Sequence, residues 1–321
     1  MAAFIIRRLI ISLIVIFVGV SLTFFLVHLI PGDPTGIFIN PALPESVRQG
    51  LVERYGLSQP VALQYLKWLY NAVRLDFGYS FIYPEKTLSL IGDALVPTLA
   101  LTLSSLFIGV LAGCFIGIAS AMKKGTLFDR ICSTAVMFFY SVPSFWLGLV
   151  LLLLLSYWLG IFPSSQIRSI HHEHLSFVGK VFDYIIHLLL PVTTLSLTLM
   201  ASFAKYTRES MINALSSSYT IGAISRGIDK RKIIFKYCFK NSLIPVINLI
   251  GTAVPFIIGG AITVEVVFSL PGMGRLIVSS ILSRDYPVVM GIATLMFFFV
   301  VFFNMLVDII SHIIDPRVQL Q

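Results

Sequence analysis

Between Ser225 and Pro245 the chain places Arg226, Lys230, Arg231, Lys232, Lys236 and Lys240 against a single acid, Asp229. Lys232, Lys236 and Lys240 recur every four residues, which puts them on one face of a helix. Like charges at that spacing repel by a few tenths of a kcal/mol per pair, so the pattern needs an anionic neighbour. Acidic lipid headgroups and an acidic protein surface both fit. A second chemistry-bearing stretch is His171–His174, "HHEH". Imidazoles suit nickel and zinc, yet adjacent histidines in a polar loop are ordinarily just solvated. No second ligand set with helical or hairpin spacing accompanies them, so no metal site is expected. The sequence has no phosphate-binding glycine loop ending in Lys-Ser/Thr, no His-Glu-x-x-His and no Gly-x-Ser-x-Gly. It therefore reads as a non-enzyme.

The elements that must hold these residues are apolar. Of 321 residues 57% are hydrophobic and only 12% charged, the composition of an all-α polytopic membrane protein. Six runs are long enough to span a bilayer: Leu9–Ile30, Ala94–Met122, Ile131–Phe162, Tyr184–Ala204, Leu243–Val264 and Tyr286–Val307. The third is over-long, which predicts tilt or an excursion into the interface. The first follows Arg7 and Arg8 but lacks a small-residue cleavage site and is too long for a signal peptide, so it reads as retained.

With the amino terminus in the cytoplasm, fourteen of the 23 Lys and Arg fall inside, opposed by four acids. Nine fall outside, matched by nine acids. The positive-inside rule thus puts both termini in the cytoplasm. The net charge of +8 is explained by membrane topology, with no nucleic acid required. Cys114, Cys132 and Cys238 place no pair in an outer loop, so no structural disulfide is expected.

Three segments organise the chain: 1–30, an amino-terminal tail and first span; 31–93, an extracytoplasmic amphipathic subdomain; and 94–321, a five-span core containing a cytoplasmic loop at 205–243. In the subdomain, "PESVRQGLVERYGL" has helical spacing with Gly56 as a stop. "PVALQYLKWLYNAVRLDFG" sets Leu63, Leu66, Trp68, Leu69, Val73 and Leu75 among polar residues. Both predict helices lying on the outer membrane surface. The second span carries Ser105, Gly109, Gly113, Gly117 and Ala121 four apart, a stripe that lets another helix approach closely. Pro143, Pro191 and Pro255 are placed to kink their spans. Glu265 and Asp308 are the acids that border spans, each at an end. In the loop, Gly227 suits a positive φ between two short helices. A helix, a glycine turn and a basic helix would form a knob fit to dock into a groove.

That knob resembles the cytoplasmic coupling loop of ABC importer permeases. The whole chain is similar to the permeases for dipeptides, oligopeptides and nickel, through "IPGDP" (Ile30–Pro34), "YGLSQPVALQYLKWL" (Tyr55–Leu69), "DFGYS" (Asp76–Ser80), "SVPSFWLGL" (Ser141–Leu149), "VEVVFSLPGMGRL" (Val264–Leu276), "RDYP" (Arg284–Pro287) and "DPR" (Asp315–Arg317). Where the general pattern has Glu-Ala-Ala, this chain has Ile221, Gly222 and Ala223; only Ala223 and Gly227 match, so the acid is lost.

The resemblance implies a six-span permease of the type I ABC importer fold in the bacterial inner membrane, paired with a homologous permease. Two cytoplasmic ATPase subunits would carry ATP and Mg, and a solute-binding protein would deliver substrate from outside. This chain itself would hold no cofactor. Tyr219, Ala223, Ser225, Arg226, Gly227, Arg231, Lys232, Lys236, Lys240, Asn241 and Pro245 are the coupling candidates. Gly109, Gly113 and Gly117 are assigned to helix packing. Glu265, Pro271, Gly272 and Gly274 are candidates for the pathway or its outer gate. Membrane lipid is the remaining partner. Peptides are the expected substrate, with nickel or a metal chelate as the alternative on the same architecture. An ion-coupled secondary transporter is the alternative from another class, though such proteins usually bury ionisable groups mid-membrane.

Overall fold

A computed structural model describes residues 2–29, 59–83 and 85–314. The side chains of 2–5, 230, 241, 243–245, 252–260 and 310–314 lie outside that description. So do the "IPGDP" and "DPR" motifs and the helix expected over "PESVRQGLVERYGL". Every regular element among the described residues is helical: α1 Ala2–Leu29, α2 Val61–Val73, α3 Thr87–Met122, α4 Leu127–Ser141, α5 Ser144–Leu151, α6 Phe177–Leu215, α7 Ser218–Ser225, α8 Lys240–Val267, α9 Met273–Leu282 and α10 Tyr286–Ile314. A π-helical turn, Leu152–Trp158, extends α5, and a second, Ile233–Phe239, runs from a helical turn at Lys230–Lys232 into α8.

Four helical stretches are long and apolar enough to cross a bilayer: Ile6–Leu29, Thr87–Met122, Phe177–Leu215 and Tyr286–Ile309. The third apolar run is not one straight span. It breaks between α4 and α5 with a bend of 104°. Val142 is extended (ψ 128°) and Pro143 begins the next helix at φ −61°, as expected where a proline bars its predecessor from the α region. Counting that pair as one span gives five. The fifth apolar run lies in the 28-residue α8, part of whose side chains are not described. Pro191 sits inside the unbroken 39-residue α6, as does Pro97 inside α3.

The chain divides into two compact units, Met1–Val96 with Gly272–Phe302 and Pro97–Pro271 with Phe303–Gln321. In the first, α2 lies on α1: Phe24 and Val27 meet Tyr65, Trp68 and, from α10, Tyr286, Val289 and Met290. Tyr65 Oη and Ser21 Oγ are 2.7 Å apart. Leu63, Leu66 and Val73 of the same amphipathic helix stay exposed. Two of the motifs meet here. Asp285 of "RDYP", fully buried, accepts from Ser80 Oγ of "DFGYS" and from the Phe81 N–H at 3.1 Å. The Ser80 oxygen in turn accepts from the Ile82 and Tyr83 N–H groups. A buried carboxylate is tolerated only with such partners.

In the second unit α6 is central. Its Leu190, Leu195, Leu199 and Phe203 share one core with Leu101 of α3 and Val246, Val264 and Phe268 at α8. Gly109, Gly113 and Gly117 of α3 stand against α6. A Cβ at these positions would fall 2.6–2.7 Å from Leu199, Phe203 and Thr207 respectively, closer than any side chain permits.

Candidate functional site

The segment from Ser216 to Lys240 is a folded unit. α7 ends in a Schellman motif. Gly227 has φ +72°, its N–H donates to the Ile224 carbonyl at 2.9 Å, and the Ile228 N–H donates to the Ala223 carbonyl at 3.2 Å. The next turn is capped by Asp229, whose carboxylate accepts from the Arg231 N–H at 2.9 Å. The acid in the basic stretch therefore starts a helix. Ala223, Ile233, Ile234 and Cys238 are buried and close on Met211 and Ala214 of α6 and Ala121 of α3. Thr220 Oγ1 donates to the Ala214 carbonyl at 2.7 Å.

What this core displays is mixed. Arg226, Arg231, Lys232, Lys236 and Lys240 are all exposed. Arg226 Nε donates to the Gly222 carbonyl, while Arg231, Lys232, Lys236 and Lys240 form no ion pair among the described residues. Beside them stand exposed apolar groups: Tyr219, Ile221 at 59%, Ile224 at 60% and Phe235 at 59%. Sequence reasoning named Tyr219 and the bases but missed Ile221, Ile224 and Phe235. Only the structure marks them: on α7, Thr220 and Ala223 take the inner face, which leaves 221 and 224 outside. Ser225 is exposed and returns its hydroxyl to the Ile221 carbonyl. The side chains of Asn241 and Pro245 lie outside the description.

Directly above the segment, α6 is locked to its neighbours by a clamp the sequence did not reveal. Arg208 grips Asp129 of α4 in a two-pronged pair, Nε to Oδ1 at 2.7 Å and Nη2 to Oδ2 at 2.8 Å. Ser120 of α3 donates to the same carboxylate and accepts from Arg208. The Gly125 N–H supplies another bond at 2.9 Å. Arg–carboxylate forks combine energy with fixed geometry, so three helices are registered at one point. In the sequence both sit among other charges at the edge of an uncharged run, Asp129 before Arg130 and Arg208 before Glu209, so nothing local singles out the pair.

The remaining candidates fall elsewhere. Glu265 is 1% exposed, and its carboxylate accepts from Thr98 Oγ1 at 2.6 Å. Pro271 is exposed, whereas Gly272 and Gly274 are buried at the start of α9. The "HHEH" stretch separates into two roles. His172 is buried, with Nδ1 2.7 Å from Asp183 Oδ2. Glu173 is exposed and pairs with Arg168 and Lys180 at 3.0 and 3.1 Å. The Lys180 hydrogen bond, ahead of the surrounding positive charge, holds Glu173 below the usual carboxylate range. Among the described residues no group of three or more metal-ligating side chains could hold a metal ion. His172 is thus a packed structural residue, not a solvated one.

Comparison with known proteins gives the same class. The model of the family described as "Binding-protein-dependent transport system inner membrane component" matches residues 109–320, and its N-terminal companion matches 1–102. The chain belongs to this family: it is a transport permease and a multi-pass membrane protein. It is 35% identical over 99% of its length to the whole of an oligopeptide transport system permease protein, AppB, of Bacillus subtilis (strain 168). It is 32% identical, end to end in both chains, to a dipeptide transport system permease protein, DppB, of Lactococcus lactis subsp. cremoris (strain MG1363). A solved amino acid ABC transporter with histidines shares the fold, at TM-score 0.50 and 19% identity, over 70% of this chain and 94% of that one.

Proposed function

We propose that the chain is the permease subunit of an ATP-driven importer of di- or oligopeptides. It crosses the bacterial inner membrane six times in the type I importer arrangement, with both termini cytoplasmic. It pairs with a homologous permease to form the pathway. A solute-binding protein loads the outer side, and two ATPase subunits, which carry ATP and Mg, dock below. The observation that carries this reading is the Ser216–Lys240 segment. A helix–glycine–helix knob, packed on the end of α6, shows Arg231, Lys232, Lys236 and Lys240, without ion pairs among the described residues, around Ile221, Ile224 and Phe235. Apolar anchors within a charged rim are the make-up of a protein interface; a lipid-only contact would not need the knob's fixed turn.

In this reading, closure of the ATPase pair moves the knob, and α6 transmits the motion. At 39 residues α6 is about 58 Å long, well beyond the roughly 30 Å hydrocarbon core. The clamp at Arg208 carries α4 and α3 along. The names of the similar proteins support peptides as cargo. The test is uptake of labelled di- and tripeptides into vesicles holding the assembled complex. Uptake that needs ATP and the binding protein and survives an uncoupler is expected. Uptake that collapses with the uncoupler and ignores ATPase loss would replace this reading with ion-coupled transport.

A further inference from the structure

Beside the clamp, the second unit contains an open cleft of about 580 Å³, a volume in the range of small-ligand sites. Its walls are α4 and α6, and its floor is α3 at Ile116 and Gly117. We propose that this cleft is a subsite for a short zwitterionic peptide on the side from which cargo is released, with Lys205 taking the terminal carboxylate and Glu209 the terminal ammonium. The inference rests on the peptide reading above and deepens it.

Three observations define the chemistry. First, the open charge in the cleft is one cation and one anion. Arg208 also lines it, but its fork is occupied by Asp129. That leaves Lys205 and Glu209, one helical turn apart on α6. Second, these two do not close on each other. Lys205 Nζ lies 4.5 Å over the Tyr140 ring, and the Glu209 side chain makes no hydrogen bond or ion pair among the described residues. A lysine four residues before a glutamate is the weaker order for a helical pair, so little is lost when a ligand takes both. Third, Asn213 continues the row by one more turn, and Ser133, Tyr140 and Ser141 face it from the α4 side.

Size and charge then choose the ligand class. Successive turns are about 5.4 Å apart, and an extended dipeptide spans about 7 Å, so its two termini match the two charges. A lone phosphate would meet Glu209, and a simple cation would meet Lys205. Hydroxyl and amide groups along the walls suit peptide N–H and C=O groups. Met137 and Val136 offer a pliable apolar wall, which tolerates varied side chains. A zwitterionic lipid headgroup has the same two charges, and the test separates it from a peptide.

The test uses the assembled complex in vesicles and a dipeptide with free termini and a diazirine side chain, mapped after photolysis by mass spectrometry. Label is expected on α4 and α6 around Met137 and Ile212. Free dialanine should compete; N-acetyl-dialanine amide should not. Glu209→Gln and Lys205→Gln should each lower labelling about fivefold to tenfold, and the exchanged pair Lys205→Glu/Glu209→Lys, which accepts the peptide reversed, should restore most of it. Uptake of free dipeptides by the unaltered complex, with label outside the cleft or insensitive to Glu209→Gln, would overturn the subsite and leave the peptide reading standing. No uptake of any peptide by the unaltered complex would sink that reading itself, and the subsite with it. Label suppressed in phosphatidylethanolamine vesicles but not in phosphatidylglycerol vesicles would overturn the inference in favour of a lipid headgroup.

Discussion

Two polar segments of this membrane protein look alike in sequence and behave oppositely in structure. Around His171–His174 the charges are consumed locally: Glu173 is held between Arg168 and Lys180, and Asp183 lies within 3.3 Å of both His172 and His187. In the Ser216–Lys240 segment the packing is just as complete, yet Arg231, Lys232, Lys236 and Lys240 are left without ion pairs among the described residues. Charge satisfied from within builds a loop. Charge left open on a rigid core, beside exposed isoleucines and a phenylalanine, has its partner elsewhere. The count of charges does not separate the two cases; the destination of each charge does.

The largest expected break of this contrast is Gly227→Val. No atom lies within 4 Å of a Cβ at that site, so the cost is conformational: φ +72° is about 1–3 kcal/mol out of reach for ordinary residues, and worse for a β-branched one. The second helix should be misdirected. Substrate-stimulated ATP hydrolysis should fall to basal levels, while Gly227→Asn, which tolerates this conformation, retains most of it. Next comes the clamp. Asp129→Ala leaves Arg208 without its carboxylate and should lower thermal stability of the purified complex by about 2 kcal/mol. It should also lower the peptide imported per ATP hydrolysed. Lower stability with an unchanged ratio would make the clamp structural only.

Smaller effects sharpen the comparison at the surface. Ile224→Asp should weaken co-purification with the ATPase subunits more than Lys236→Ala, because a desolvated apolar anchor outweighs a single rim charge, worth about 0–1 kcal/mol. Reversing Lys232 and Lys236 together to Glu should fall between them, growing at low salt. Smallest is the His171–His174 segment. His171→Ala and His174→Ala should leave uptake unchanged. His172→Ala, which strips Asp183 of one partner, should lower the melting temperature at an expected 1–3 kcal/mol without any metal-dependent phenotype.

Much of this was legible beforehand. The apolar runs marked the long helices, Gly227 marked the turn, and the four-residue stripe on α3 marked a close approach. Most of what escaped depends on partners distant in the chain. A kink at Pro143 was expected, but Pro143 and Pro191 read alike, and only packing decides that one ends a helix while the other stays inside α6. The Asp129–Arg208 fork joins residues 79 apart, a pairing no local pattern encodes. Ser80 and Asp285 are further apart still. The outward isoleucines were obscured for a different reason: in a chain so apolar, Ile221 and Ile224 are unremarkable until the inner face of α7 is known.

Cross-linking tests the central claim most directly. With Cys114, Cys132 and Cys238 replaced by Ser, a cysteine at Ile224 and a short bismaleimide should join this chain to an ATPase subunit in the assembled transporter. The yield should change between the ATP-bound and nucleotide-free states, and a control cysteine at Ser169, beside His171–His174, should give none. Absence of that product from position 224 in every nucleotide state, in a complex that still imports peptide, would contradict the account.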